Sequence, residues 1–429
     1  MKRRIFSLML SVVVLASLTG CGGNSVTSDK SKDKANKETT DNDEVELTLW
    51  ARQNYYDVCK IASEKYHEKN PHVTIKVAEQ TELSDQFAIA LSANNEPDIV
   101  SMDSVLIPYY SSIGALTDIT DKVNEMDFKD TFSEGMIRLS TFEEQQFAVP
   151  FGPDVSVLLY NKEHFKEAGL DPDKAPATWD ELVEYAEKLT TEDHAGYVYS
   201  GGDAGGNMFT FVPYIWSNDG DVLTEDGSKS LLDQPEAIEA LQFFCDLTNK
   251  YKVTPASVNS YDFGEATDAF TTGKASMVVL GSAAVWNILN GEYGDISIGI
   301  SLIPAKDGKN FTSFSGGDSL AISRGCKNPE VAWDFIQYCL SEDIQVEELA
   351  QYGMIPARSD LFENEYFNER PEFKVTQEAL KVGRAPYSLK YNEMYAPFLD
   401  GMQAALNEQM TAEEAFTSAA KKINSILEE

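Results

Sequence analysis

The chain has 429 residues, enough at ~150 residues per domain for two or three domains and a sizeable buried core. Its make-up, 42% hydrophobic, 11% aromatic and 24% charged, excludes a disordered, collagen-like or multi-span membrane chain. Seventy acidic residues against 35 basic ones give a net charge of −35, which repels polyanions and excludes nucleic-acid binding.

Lys2, Arg3 and Arg4 precede an apolar run from Ile5 to Leu18, the order of a secretory signal, assigned here to residues 1–20. Leu18-Thr19-Gly20-Cys21 is similar to a bacterial lipobox, so Cys21 is expected to become the first mature residue and to carry lipid, palmitate included. From Gly22 to Glu46 the apolar side chains are Val26, Ala35 and Val45 alone. Nothing there offsets the entropy of ordering, and residues 21–46 read as a lipidated, disordered tether.

Val45, Leu47 and Leu49 alternate with polar residues up to Trp50, a half-buried strand that stops at Arg52-Gln53-Asn54. Tyr56, Cys59, Ala62 and Tyr66 predict a helix that ends at Asn70-Pro71. Val73, Ile75 and Val77 form the next strand, residues 84–93 the next helix, and Pro97-Asp98-Ile99-Val100 opens a third strand. This β-α-β-α-β order predicts a parallel sheet wrapped by helices, with ligands beyond the carboxyl ends of the strands, where Arg52, Gln53 and Asp103 fall. The continuous apolar run from Ser156 to Tyr160 begins a second lobe of helices and short strands reaching about Ile303. Thr178-Trp179-Asp180-Glu181 is a capping box, and Leu182, Ala186 and Leu189 mark the buried face behind it. Asn328-Pro329-Glu330 opens a helix with Val331, Phe335 and Tyr338 at helical spacing and Trp333 in its core, and an amphipathic helix closes the chain.

No G-x-S-x-G, phosphate loop or dinucleotide fingerprint occurs. Gly201-Gly202 and Gly205-Gly206 flank Asp203 and read as a surface loop. Cys59, Cys245, Cys326 and Cys339 read as small buried hydrophobes, with one bridge left open, and His67, His72, His164 and His194 lack metal-site spacing. No metal or cofactor is expected. With this many carboxylates, a glycosidase pair is not readable from sequence, because that chemistry depends on a spatial separation. Trp50, Tyr109, Tyr110, Phe151, Trp216 and Trp286 fall near strand ends or loops. Flat rings beside carboxylates suit sugars, although each ring taken singly reads as core.

A set of ordered motifs adds to this. Glu96-Pro97-Asp98-Ile99-Val100 is followed by Asp103, and Leu159-Tyr160-Asn161-Lys162 by Phe165 and Ala168-Gly169. Ala177-Thr178-Trp179-Asp180-Glu181-Leu182, Gly273-Lys274-Ala275-Ser276-Met277 and Gly316-Gly317 come next, then Ala332-Trp333-Asp334-Phe335-Ile336 and Gly353-Met354-Ile355-Pro356-Ala357-Arg358. In this order the chain resembles the family 1 extracellular solute-binding proteins that deliver sugars to ABC importers.

The resemblance implies an α/β, type II periplasmic-binding-protein-like clamp of two lobes, each a mostly parallel sheet flanked by helices. Residues 47–153 plus 318–360 would form the N-lobe, and 157–313 plus 361–429 the C-lobe. The ligand-binding set it implies comprises Trp50, Arg52, Gln53, Asp103, Asp154, Trp216, Trp286, Gly316, Gly317 and Asp318. Asp154 falls where family members place a cleft carboxylate, with a turn cap as its bland alternative, and Gly316-Gly317 lies beside a hinge. Family members often have Gly-x-Trp where this chain has Gly281-Ser282-Ala283, so a stacking ring is absent there, and whether Trp286 replaces it stays open.

The expected function is capture of a carbohydrate, an oligosaccharide by preference, and delivery to the permease and ATPase of an ABC transporter. The binding protein itself would be a lipid-anchored, extracytoplasmic monomer that does no chemistry. The alternatives are the same clamp carrying a non-sugar solute such as a polyamine, and a surface glycosidase.

Overall fold

The computed structural model describes residues 44–429; the signal, Cys21 and the tether up to residue 43 lie outside them. Strand β1 (Val45–Arg52) pairs in parallel with β2 (Val73–Gln80) along its whole length, from Val45 against Val73 to Arg52 against Gln80. The strand therefore begins at Val45, where the alternation starts, and takes in the last two residues of the 21–46 tether assignment. Helix α1 (Gln53–Lys69) follows at once and buries Tyr55, Val58, Cys59, Ala62 and Tyr66. Its inward stripe begins at Tyr55, one residue before the expected Tyr56. Helix α2 (Leu83–Ala93) leads to β3 (Ile99–Asp103), parallel to β1, and a short hairpin of β4 (Thr141–Phe142) and β5 (Gln145–Gln146) precedes the 14-residue strand β6 (Ala148–Asn161).

Beyond β6 come α3 (Trp179–Leu189), α4 (Ala204–Thr210), α5 (Pro235–Asn249), β7 (Met277–Gly281), α6 (Ser282–Leu289), β8 (Ile298–Ser301) and β9 (Ser313–Ile322). Helix α7 (Pro329–Cys339), strand β10 (Gly383–Arg384), α8 (Tyr395–Leu406) and α9 (Ala412–Leu427) complete the elements used below. The Thr178 hydroxyl accepts the Glu181 N–H at 3.0 Å, but the Glu181 carboxylate takes the N–H of Ala177, one residue before the cap, at 2.7 Å. Reciprocal boxes stand instead at Asp262 with Glu265 and, at α9, at Thr411 with Glu414.

The sheet runs β2-β1-β3-β9-β6-β7. Its first three strands are parallel, as expected, whereas β9 is antiparallel to β3 and β6 antiparallel to β9. In the second half β7 and β8 are also antiparallel to β6, with parallel contact limited to β10 on β9 and single bridges such as Val198 to Val278. The mixed character has a simple cause: β6 carries the chain from one lobe into the other and β9 carries it back, so the two run in opposite senses.

Each lobe has its own core. Leu47, Leu49, Ile99, Val149, Phe151, Leu320 and Ile322 face α1 and α7, where Trp333 and Phe335 pack, while Val100, Met102, Ala148 and Ala321 face α2. Alternation along each strand thus covers both faces of the sheet, as a doubly wound lobe requires. The second core gathers Val155 to Tyr160 of β6, Val278 to Leu280 of β7 and rings from the surrounding helices, Phe211, Phe244, Phe398 and Phe416. Strand β6 therefore packs in the first core up to Phe151 and in the second from Val155 on.

Where the crossing strands touch, Gly317 has φ +104°, and a Cβ there would lie 2.1 Å from the Gly152 carbonyl oxygen and 2.6 Å from the Asp154 nitrogen. Both the backbone angle and the close approach demand glycine. Gly317→Ala should lower stability by about 1–3 kcal/mol, read as a drop in denaturant midpoint. Gly316→Ala, whose Cβ would meet only the Phe314 ring at 3.2 Å, should lose less, and equal losses would mean that the approach is not the constraint.

Candidate functional site

The β1, β3 and β9 registers bring three charges together. Arg52 ends β1, Asp103 ends β3, and Asp103 stands opposite Asp318 on β9. Arg52 Nε donates to Asp318 Oδ1 at 2.7 Å and a second guanidinium nitrogen bonds the same oxygen, while Nη1 reaches Asp103 Oδ2 at 3.0 Å. Ser101 Oγ donates to the other Asp318 oxygen at 2.7 Å. Burial pushes the Asp318 carboxyl above the ordinary carboxylate range, against the pull of Arg52 and Ser101. Burial alone would discharge Arg52, but the two carboxylates outweigh it and hold the guanidinium above its ordinary value.

In front of this group lies a cavity of about 340 Å³, within the ~300–1,000 Å³ usual for small-molecule sites. Arg52, Asn54, Tyr55, Asp103 and Val105 line it from the first lobe, and Pro153, Asp154, Gly316 and Gly317 from the crossing strands. The second lobe contributes Asp203, Gly205, Gly206, Ser282 and Ala283, together with the rings of Phe209, Phe263, Phe314, Tyr391 and Tyr395.

Asp154 Oδ1 accepts the Ser282 N–H at 2.8 Å and the Ser282 hydroxyl at 2.5 Å. It is a cap, as the bland reading has it, but of α6, 128 residues away, and not of its own turn. Gly281 makes room, since a Cβ there would lie 2.9 Å from Asp154 Oδ2. Burial raises the Asp154 carboxyl above its ordinary value, against donors from Ser282, Ala283 and Val155.

Asp203 caps α4, accepting the Gly206 N–H at 3.0 Å, and its other oxygen accepts the Phe263 N–H at 3.3 Å. Gly205 and Gly206 are thus the first turn of a cavity-lining helix, which corrects the surface-loop reading, and a Cβ on Gly206 would press within 2.7 Å of the Ser200 hydroxyl oxygen. Tyr391 and Tyr395 meet edge to face with centroids 5.4 Å apart, and burial, with Asp103 nearby, keeps both hydroxyls protonated donors.

Of the residues named from sequence, Arg52, Asp103, Asp154, Gly316 and Gly317 line the cavity. Asp318 is fully buried behind Arg52 and holds it in place without facing the cavity. Gln53 is exposed on the first turn of α1, and Trp50 packs against the core under α2. Tyr110 and Phe151 are core. Trp216 is 1% exposed, donates from its indole to Asp221 at 2.8 Å, and borders a different cavity of about 400 Å³. There Arg384 pairs with Asp221, and Arg138 donates to the Glu225 carbonyl. The first cavity is the one that Arg52, Asp103, Asp154, Gly316 and Gly317 share, and it is taken as the candidate site. Trp286 sits outside the cavity wall, one turn beyond Ala283.

Sequence reasoning missed Tyr55, Asp203, Phe209, Phe263, Phe314, Tyr391 and Tyr395. The Asp203-to-Gly206 spacing of a cap and the i, i+4 spacing of Tyr391 and Tyr395 were the available signals. The four described cysteines are free. Among the described residues no cluster of three metal-ligating side chains occurs, and no helix is long and apolar enough to cross a membrane.

Two α/β lobes joined by crossing strands, with a polar, ring-lined cavity at the crossing, define a type II periplasmic-binding fold. Residues 58–346 match the family model described as bacterial extracellular solute-binding protein, and the chain belongs to that family. It is similar to maltose-bound MalE3 of T. maritima, with 27% identity and a TM-score of 0.77 over 89% of this chain and 100% of that one. The diacetylchitobiose binding protein DasA of Streptomyces coelicolor is 26% identical, the match covering 85% of this chain and 84% of that protein. A probable amino-acid ABC transporter periplasmic-binding protein of Sinorhizobium fredii is also 26% identical, but the match spans 64% of this chain and 62% of that protein, less than two thirds of its length.

Asp154→Asn keeps an acceptor for Ser282 and removes a charge that burial disfavours. A carboxyl raised in the folded state contributes stability that is full below its unfolded pKa and lost as pH rises through its folded one. In melting curves at pH 4 and pH 7, Asp154→Asn should therefore gain on the wild type as pH rises. Asp154→Ala, which orphans the α6 cap, should lose about 0.5–2 kcal/mol. A loss in Asp154→Asn at pH 7 as large as in Asp154→Ala would sink the capping account.

Proposed function

We propose that this protein captures a carbohydrate in the interlobe cavity by closure of the two lobes and hands it to the permease of an ABC importer. The observation that carries the reading is the juxtaposition in one cavity of Asp103, Asp154 and Asp203 with the rings of Phe209, Phe263, Phe314, Tyr391 and Tyr395. Carboxylates accept paired hydroxyls, and rings take the C–H face of a sugar. The relatives named for maltose and diacetylchitobiose support the same class. A cavity of about 340 Å³ suits the end of an oligosaccharide, and binding without turnover fits the binding-protein relatives. One observation favours a second reading: Arg52 is already paired with Asp318 and Asp103, which leaves the cavity net acidic and suited to a polyamine.

Calorimetry with maltose, N,N′-diacetylchitobiose, tagatose, putrescine and spermidine decides between them. Sugar binding is expected. Asp154→Asn, which keeps the cap but gives up charge-assisted acceptance, should weaken it at least tenfold, about 1.4 kcal/mol. Binding of spermidine alone would establish the second reading, and release of product from a glycoside would establish a glycosidase.

Lipid attachment at Cys21, export and monomeric delivery to the permease and ATPase complete the proposal. They rest on the charged, apolar start and the Leu18-Thr19-Gly20-Cys21 motif. Cys21→Ala should leave ligand affinity intact and move the protein out of the membrane fraction. Unchanged membrane retention would remove the anchor from the proposal.

A further inference from the structure

The cavity carries a charge that a neutral sugar leaves unanswered. Arg52 is the sole basic side chain among the described residues lining it, and its guanidinium is taken up by Asp318 and Asp103. With Asp103, Asp154 and Asp203 on the wall and Asp318 behind Arg52, four carboxylates face one guanidinium, a formal net charge of −3. When lobe closure removes water, repulsion within such a group grows, because each charge loses its screening.

Two of the carboxylates come from opposite lobes and converge on one tyrosine. Burial holds the Tyr395 hydroxyl protonated, and Asp103 of the first lobe and Asp203 of the second both add to that effect. Asp203 Oδ1 and the Tyr395 hydroxyl oxygen lie 3.6 and 4.0 Å from the point that a Cβ on Gly205 would occupy, so glycine keeps the space beside them open. The Tyr395 ring, in edge-to-face contact with Tyr391, and Phe263, whose N–H Asp203 accepts, also line the cavity. Carboxylates together with aromatic faces are the surroundings that suit a desolvated cation.

We propose that the ligand is an amino sugar, its ammonium group held between Asp103 and Asp203 beside Tyr395. The inference rests on the carbohydrate reading and deepens it, from any saccharide to one that carries a positive charge. It accounts for two features that otherwise point in different directions, rings for a sugar and net acid for an amine. A polyamine would meet the charge alone, since an ammonium is a donor without an acceptor. Asn54 and Tyr395 bring an amide and a hydroxyl to the same cavity, and the hydroxyls of a sugar answer these donors as well as the carboxylates. An ammonium between the two lobes turns repulsion across the cavity into attraction to both sides, so closure and recognition of the charge are one event.

The test is calorimetry at pH 6, where a primary amine is protonated, with glucosamine, galactosamine and chitobiose. Each is compared with its parent hydroxyl sugar, glucose, galactose or cellobiose, and with its N-acetylated form. At least one amino form should bind the wild type tenfold or more tightly than both of its counterparts, a preference read without any variant. Asp203→Asn keeps an acceptor for the Gly206 N–H and removes one charge. It should cost the amino form more than the parent and bring the two within about threefold of each other. If saccharides bind but no amino form reaches the tenfold preference, the ammonium site is overturned and the carbohydrate reading stands. A preference that Asp203→Asn leaves at its wild-type size overturns the place assigned to the ammonium. Binding of no saccharide, whether or not spermidine binds, overturns both the inference and the carbohydrate reading.

Discussion

The site is organised around one buried carboxylate. Asp318 lies wholly out of water in the middle of β9, and a charge there is tolerable only because Arg52 and Ser101 meet both of its oxygens. That requirement fixes three strands relative to one another, since Arg52 comes from β1, Ser101 from β3 and Asp318 from β9. It also aims the remaining edge of the guanidinium at Asp103, and so sets one wall of the cavity. The pair adds little net stability of its own. Removing either partner would leave the other buried and uncompensated, which is where the constraint lies.

The same strand makes the joint between the lobes. Immediately before Asp318, Gly317 passes so close to Gly152 and Asp154 that no side chain fits. On the other side, Gly152 leaves room for the Tyr55 ring, which would stand 2.1 Å from a Cβ at that position, and the Tyr55 hydroxyl donates to the Gly152 carbonyl at 2.6 Å. The lobes meet again at the second cavity, where Arg138 donates to the Glu225 carbonyl and Tyr387 to the Thr141 carbonyl. Well-packed cores on either side make each lobe a stiff body, so any motion between them is concentrated at these contacts.

Much of this was legible in the chain. The alternation at Val45, Leu47 and Leu49, the helix ending at Asn70-Pro71 and the unbroken run at Ser156–Tyr160 each follow from local periodicity, and the strands and helices stand where that periodicity puts them. Arg52 and Asp103 were legible for the same reason, because a parallel strand displays its last residue at the ligand edge. What local pattern does not carry is a partner from far away. Asp318 reads as one residue in an apolar strand until β9 is laid against β1 and β3. Asp154 reads as a turn cap until Ser282 is brought under it. Trp216 looks like a sugar ring by type, yet its indole hydrogen-bonds Asp221 and Phe314 lies 5.9 Å from it on the cavity side. The rings that line the cavity are phenylalanines and tyrosines, which residue type alone does not single out from the core.

The three cavity carboxylates share a design that none of them reveals alone. Asp103 accepts the Val105 N–H at 3.4 Å at the start of a helical turn, Asp154 accepts the Ser282 N–H at the start of α6, and Asp203 accepts the Gly206 N–H at the start of α4. Each sits where orphan backbone donors and the positive end of a helical segment favour negative charge. Such a carboxylate is held in one orientation before any ligand arrives, and the bond that holds it also offsets part of the cost of keeping it charged when water leaves. Under the proposed carbohydrate reading, a hydroxyl meeting these groups need not order them, so the entropy cost of binding would fall on the ligand and not on these side chains.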